Sequence, residues 1–113
     1  MKIMQTIVEL PHFTKKAGEL LSDEEKILAI NYLAAHPKSG ALIKSTGGIR
    51  KLRWATGNKG KSGGTRVIYY YHNETIPLFL LTAFGKNEKA NLSKAERNDL
   101  AALTKLLQSN YGE

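Results

Sequence analysis

Cysteine is missing from this chain, which excludes disulfides and zinc–thiolate sites and fits a reducing compartment. Acidic residues are missing from its middle. Between Glu25 and Glu74 there is no Asp or Glu, yet nine cations lie there: Lys26, Lys38, Lys44, Arg50, Lys51, Arg53, Lys59, Lys61 and Arg66. Long apolar runs are also missing. The longest, IPLFLLTAF, is far too short to cross a bilayer and carries Pro77 near its start. The opening MKIMQTIVELP has only Lys2 ahead of a short apolar patch, and no small-residue cleavage site follows it. An unexported, cytoplasmic protein without membrane attachment is expected.

What remains is ordinary in all but charge. The chain has 113 residues, 42% hydrophobic and 24% charged, which suits one domain over residues 1–113. Its net charge of +7 favours a polyanion as partner, and charge alone does not separate nucleic acid from an anionic membrane face or an acidic protein. No repeat, low-complexity tail or linker interrupts it.

The stretch from Gly47 to Tyr71 reads as strand, glycine-rich basic loop, strand. Alternation in IRKLRWA puts Lys51 and Arg53 on the side of Ile49 and Ala55, and Arg50, Leu52 and Trp54 on the other. TGNKGKSGG cannot build a core and forms the loop. The β-branched and aromatic TRVIYYY returns as a strand, bringing Arg66 beside Lys51 and Arg53.

Around this hairpin, residues from about Ile3 to Leu10 form a first strand, and FTKKAGEL a short helix or turn. Ser22 and Glu25 have capping-box spacing, which starts a helix at Asp23 that Pro37 ends near Ala35 or His36. Its apolar side is Ile27, Ile30, Leu33 and Ala34. ALIKST is a connector whose Leu42 and Ile43 tuck against the core. After a turn at His72, Asn73 and Glu74, IPLFLLTAF is a covered central strand. Ser93 and Glu96 repeat the capping-box spacing, so a last helix begins near Lys94, with Leu100, Leu103 and Leu107 in one stripe. The fold class expected is α+β: an antiparallel meander sheet with N-terminal helices and a C-terminal helix. Helices cover one face and leave the other partly open.

Cations without carboxylates cannot hold Mg²⁺ or Zn²⁺, and His12, His36 and His72 are scattered, so no metal or other cofactor is expected. RNA can be cut without a metal, because the ribose supplies its own 2′-hydroxyl nucleophile. The protein must then stabilise the phosphorane, help deprotonate the hydroxyl and protonate the leaving 5′-oxygen. Arg suits the first task through its planar fork. Lys suits the proton transfers if neighbouring cations lower its pKa, and Lys51 between Arg50 and Arg53 is placed for that. A solvated basic face that only grips phosphate uses the same residues, and the two readings stay open at this level. Lys44, Lys59 and Lys61 are phosphate or steering contacts, or a solvated loop. Trp54, Tyr69, Tyr70 and Tyr71 are divided between base stacking and core packing. ATGNKGKS approaches a phosphate loop, but Ala55 replaces its first glycine and a strand follows instead of a helix, which excludes nucleotide hydrolysis.

TGGIRKLRWA, GNKGKSGG, TRVIYYY and LLTAFGKNEKANLSKAE together resemble the RelE/ParE superfamily of toxins from bacterial toxin–antitoxin pairs, and within it the HigB-like branch. The resemblance spans essentially the whole chain. It implies a RelE-like fold and a toxin that enters the ribosomal A site and cuts messenger RNA during translation. It also implies a HigA-like antitoxin, often with a helix-turn-helix domain. By position, Lys51 and Arg53 resemble the family's basic pair on the second strand, Arg66 its phosphate-binding arginine, and Lys86 the basic residue after the fourth strand. Lys44, Arg50, Lys59 and Lys61 complete the expected RNA- and ribosome-binding set. Asn87, and Leu92 or Ser93, stand where the RelE branch has a further arginine and a tyrosine, so the proton acceptor is unassigned and is left open between Lys86, a ribosomal RNA group and solvent. Arg53 stands where the RelE pair has its second lysine and transfers a proton poorly, so the general acid falls to Lys51. A ParE-type toxin that poisons gyrase without catalysis and a plain RNA-binding module are the rivals.

Overall fold

A computed structural model describes residues 4–54 and 64–111. Five strands form one sheet in the order β1-β5-β4-β3-β2: β1 (Ile7–Glu9), β2 (Ala41–Leu42), β3 (Ile49–Trp54), β4 (Thr65–Tyr70) and β5 (Leu78–Gly85). The helices are α1 (Pro11–Leu20), α2 (Asp23–Ala35) and α3 (Lys94–Tyr111). The α+β class with N-terminal helices, a meander of β3, β4 and β5 and a closing helix is therefore as expected. β1 adds to the meander parallel to β5, and β2 pairs antiparallel with β3.

Both expected capping boxes form. Ser22 accepts from the Glu25 N–H at 3.1 Å while Glu25 accepts from the Ser22 N–H, and Ser93 and Glu96 repeat this exchange at the start of α3. Each reciprocal pair satisfies two amide donors that a helix start leaves unpaired.

The expectation that helices cover one face is corrected. α1 and α2 bury Phe13, Ala17, Leu21 and Leu33 against Leu52, Val67, Tyr69, Leu78 and Leu80. α3 and the segment before it bury Leu92 and Leu107 against Ile49, Ile68, Tyr70, Phe79 and Phe84 on the opposite face. An apolar strand such as β5 needs cover on both sides, and that requirement decides the layering. Ile27 is 57% exposed and does not join the core side of α2, whereas Ala29 is buried. Leu42 is exposed on the edge strand, and Ile43 alone of that pair packs inward. Tyr69 and Tyr70 are buried completely and belong to packing.

One irregularity shapes the site. Ile68 pairs with Thr82 but Tyr69 with Leu80, so β5 carries an extra residue at Leu81. Phe79 and Leu81 face α3, and beyond this bulge it is Phe84 that does so, opposite Arg66. A one-residue slip exchanges the faces of a strand, and here it does so for the residues of β5 that follow Leu81.

Candidate active site

The site grows from the β3–β4 ladder. Arg53 is the direct partner of Arg66, and Lys51 is the partner of Ile68, one step along the same face. Two residues of extended chain place the Lys51 and Arg53 Cα atoms about 7 Å apart. The expected grouping of Lys51, Arg53 and Arg66 is thus built into strand register. Arg53 is exposed and Arg66 is largely covered. Among the described residues no carboxylate pairs with Lys51, Arg53 or Arg66; the ion pairs present join Lys16 to Glu19 and Glu88, Lys26 to Glu9, and Lys89 to Glu96.

Backbone geometry makes room for Arg66. Gly64 has φ +85°, and a Cβ there would lie 3.1 Å from Arg66 Nη1. Glycine supplies both the left-handed turn and the space that the guanidinium occupies.

Lys51 is held by a neutral group. Its Nζ donates to Asn91 Oδ1 at 2.9 Å, across the segment between β5 and α3. Lys51, Asn91, Leu92 and Arg97 line a cleft of about 300 Å³ together with Ala41, Leu42 and Ile43. An amide partner orients the ammonium without neutralising it, which leaves its charge for an anion. Arg97 spends one donor on the Leu92 carbonyl at 3.0 Å.

Other expected residues lie elsewhere. Arg50 is on the α1/α2 face, where Nη1 donates to the carbonyls of Lys38 at 3.1 Å and Gly40 at 2.8 Å, so it ties down the loop before β2. Lys86 follows β5; its N–H donates to the Gly64 carbonyl at 3.2 Å, so its backbone adjoins the turn beside Arg66, and it lines a hollow with Leu20, Gly64, Thr65 and Glu88 that is separate from the Lys51 cleft. Lys44 lies in the turn between β2 and β3, where it lines a groove with Lys94, Arg97 and Asn98. Lys59 and Lys61 lie outside the described residues. Trp54 is half-buried on the α2 side, its ring 5.7 Å from that of Tyr32. Asn91 and Arg97 were not singled out from sequence. The available signal was their position beside the second capping box, which brings the start of α3 to β3.

Among the described residues no group of three or more His, Asp or Glu side chains converges in a way that could hold a metal ion. None of their helices is long and apolar enough to cross a membrane.

These features define a small α+β domain that displays strand-borne cations, without carboxylate partners, beside a cleft. Residues 2–113 match the family model described as the RelE toxin of the RelE / RelB toxin-antitoxin system. The chain belongs to that family of toxins, which are generally translation-inhibiting ribonucleases paired with an antitoxin.

Proposed function

We propose that this toxin is a ribosome-dependent endoribonuclease of the HigB-like branch, which cuts translated messenger RNA in the A site without a metal. The observation that carries the reading is the Arg53–Arg66 pair with Lys51 on the same face, none of them neutralised by a carboxylate among the described residues. The scissile phosphate lies between the two guanidiniums. The ribose 2′-oxygen attacks phosphorus, a base removes its proton, and the two arginines stabilise the extra charge of the phosphorane. The P–O5′ bond then breaks as Lys51 delivers a proton to the leaving oxygen, giving a 2′,3′-cyclic phosphate and a free 5′-hydroxyl. Asn91 keeps the Lys51 ammonium at the cleft. Lys86 adds positive charge near the Gly64 end of β4, and Lys44, Lys59 and Lys61 contact messenger or ribosomal RNA.

Residues 1–113 act as one toxin domain in the cytoplasm, held inactive by a HigA-like antitoxin. The test is primer extension on a reporter message in a reconstituted translation system, with and without ribosomes, using wild type and Lys51→Ala. New ends that require both ribosomes and Lys51 are expected. Normal translation without new ends would remove the enzyme reading and direct attention to gyrase or to RNA affinity alone.

A further inference from the structure

Two hollows on the α3 side of the molecule adjoin each other. The Lys51 cleft shares Ile43 and Arg97 with a larger groove of about 510 Å³ lined by Ile43, Lys44, Ser45, Lys94, Arg97 and Asn98. Cations thus line these adjoining hollows from three places: Lys51 on β3, Lys44 in the turn after β2, and Lys94 and Arg97 in the first turn of α3. No carboxylate is among the described residues lining them. Glu96, the one acid in that turn, is directed to Lys89 and to the Ser93 N–H.

The local structure is built to hold this shape. Ser45 has φ +62°, an uncommon conformation for a residue with a side chain. Buried Thr46 fixes the turn by donating to the Ile43 carbonyl at 2.6 Å and accepting from the Ile49 N–H at 3.2 Å. Lys94 and Arg97 stand at the positive end of the helix dipole, where cations cost stability; α2 has Asp23, Glu24 and Glu25 at the same place. Arg97 also ties the Leu92 carbonyl to the start of α3, but for Lys94 and Lys44 no such structural hydrogen bond is found among the described residues. A chain of phosphates gives a reason to gather these charges.

We propose that the groove is a subsite for the backbone of single-stranded RNA next to the scissile phosphate, with Lys44, Lys94 and Arg97 as its phosphate contacts. Asn98 lies beside them as a donor and acceptor for a ribose or base edge. The inference rests on the cleavage reading above and extends it: Lys51 marks where the cut is made, and the groove shows where the strand continues.

The experiment measures binding of the full toxin to fluorescent RNA whose scissile ribose is 2′-deoxy, using oligonucleotides of about four and about twelve nucleotides. Wild type, Lys94→Gln, Lys44→Gln, the double variant and Arg66→Gln are compared over a salt series. Lys94→Gln and Lys44→Gln are expected to weaken the longer oligonucleotide by about tenfold each, as for loss of a charged hydrogen bond. Each is also expected to reduce its salt slope by about 0.7. The four-nucleotide RNA should lose affinity only with Arg66→Gln.

Unchanged affinity and slope for the longer RNA in the double variant would overturn the groove while leaving the Arg66 site standing. Equal losses for both lengths would overturn it as well, because the cations would then serve the cleavage centre. If the double variant binds both RNAs like wild type but binds message-free ribosomes less well, the groove contacts ribosomal RNA and the proposal fails. A wild type that binds neither RNA would count against the groove, whereas indifference of the short RNA to Arg66→Gln would count against the cleavage site alone.

Discussion

Arg53 and Arg66 stand directly opposite each other on β3 and β4, two like charges in a cross-strand position that sheets ordinarily fill with attractive pairs. Among the described residues no acid relieves them. The repulsion is a cost to the free protein that a bound phosphate would reverse. Arg53→Thr should therefore raise stability by a few tenths of a kcal/mol, up to about 1 kcal/mol, since it also places a good strand former in β3. The same change should lower messenger cleavage. Urea unfolding and primer extension on one preparation check the two effects, and a variant that loses both stability and activity would contradict the assignment.

Arg66→Gln removes the charge while keeping much of the side chain that packs against Gly64. Cleavage should fall by about 10² to 10³-fold, as when a preorganised donor to a transition-state oxyanion is removed. Full toxicity from a well-folded variant would remove Arg66 from the site.

Asn91 touches Lys51 and is exposed, so its role is separable from folding. Asn91→Ala should leave stability within about 0.5 kcal/mol of wild type. Single-turnover cleavage should fall by about tenfold because Lys51 loses its fixed position. Asn91→Asp should also be impaired, since a carboxylate would neutralise the ammonium it orients. Wild-type rates in both variants would show that the contact does not matter to the reaction.

The local parts of this architecture were legible in sequence because local chemistry decides them. Two capping boxes set two helix starts, and period-two alternation in IRKLRWA put Lys51 and Arg53 on one face and Arg50 on the other. The layering was not legible. IPLFLLTAF is apolar on both faces with Thr82 its one polar residue, so its pattern carries little information about which residue faces which helix, and the bulge at Leu81 cannot be seen in it. The two-residue β2 and the parallel pairing of β1 depend on long-range partners instead of their own composition. Asn91 was invisible for the same reason: its partner Lys51 is 40 residues away.

Tyr69, on the α1/α2 face of β4, ties down the loop before β2. Its hydroxyl accepts from the Gly40 N–H at 2.8 Å and donates to the Pro37 carbonyl at 2.9 Å, so the buried phenol fixes the loop that leads into β2. Tyr69→Phe leaves both backbone groups without that partner and should cost about 1–3 kcal/mol. Gly40→Ala attacks the same contact from the other side, because its Cβ would lie 2.8 Å from the Tyr69 hydroxyl oxygen. Burial raises the Tyr69 pKa above its ordinary 10.0, against the lowering effect of the Gly40 hydrogen bond. The folded state therefore keeps the proton longer than the unfolded chain. This contribution is complete below pH 10.0 and is lost as pH rises through the folded value. Burial raises Tyr70 in the same direction. Chemical unfolding across the alkaline range should show a falling limb that Tyr69→Phe makes shallower, and an unchanged slope would show that Tyr69 does not control it.

The acid limb has the opposite sign. Hydrogen bonds from Lys89 and from the Ser93 N–H lower the Glu96 pKa below its ordinary 4.5, and the Lys16 hydrogen bond does the same for Glu88. Such carboxylates contribute stability above the unfolded value near 4.5, and the contribution is lost as pH falls through the lower, folded value. Glu96 has two tasks that substitution can separate. Glu96→Gln retains an acceptor for the Ser93 N–H and removes only the charge that meets Lys89, a partly exposed pair worth about 0–1 kcal/mol. Glu96→Ala removes the cap as well and should cost about 1 kcal/mol more, within the usual range for helix caps. Both variants should flatten the fall in stability below pH 4.5, because neither has a carboxylate left to titrate. If Glu96→Gln keeps the wild-type acid slope while Glu96→Ala loses it, the cap and not the charge governs the acid limb.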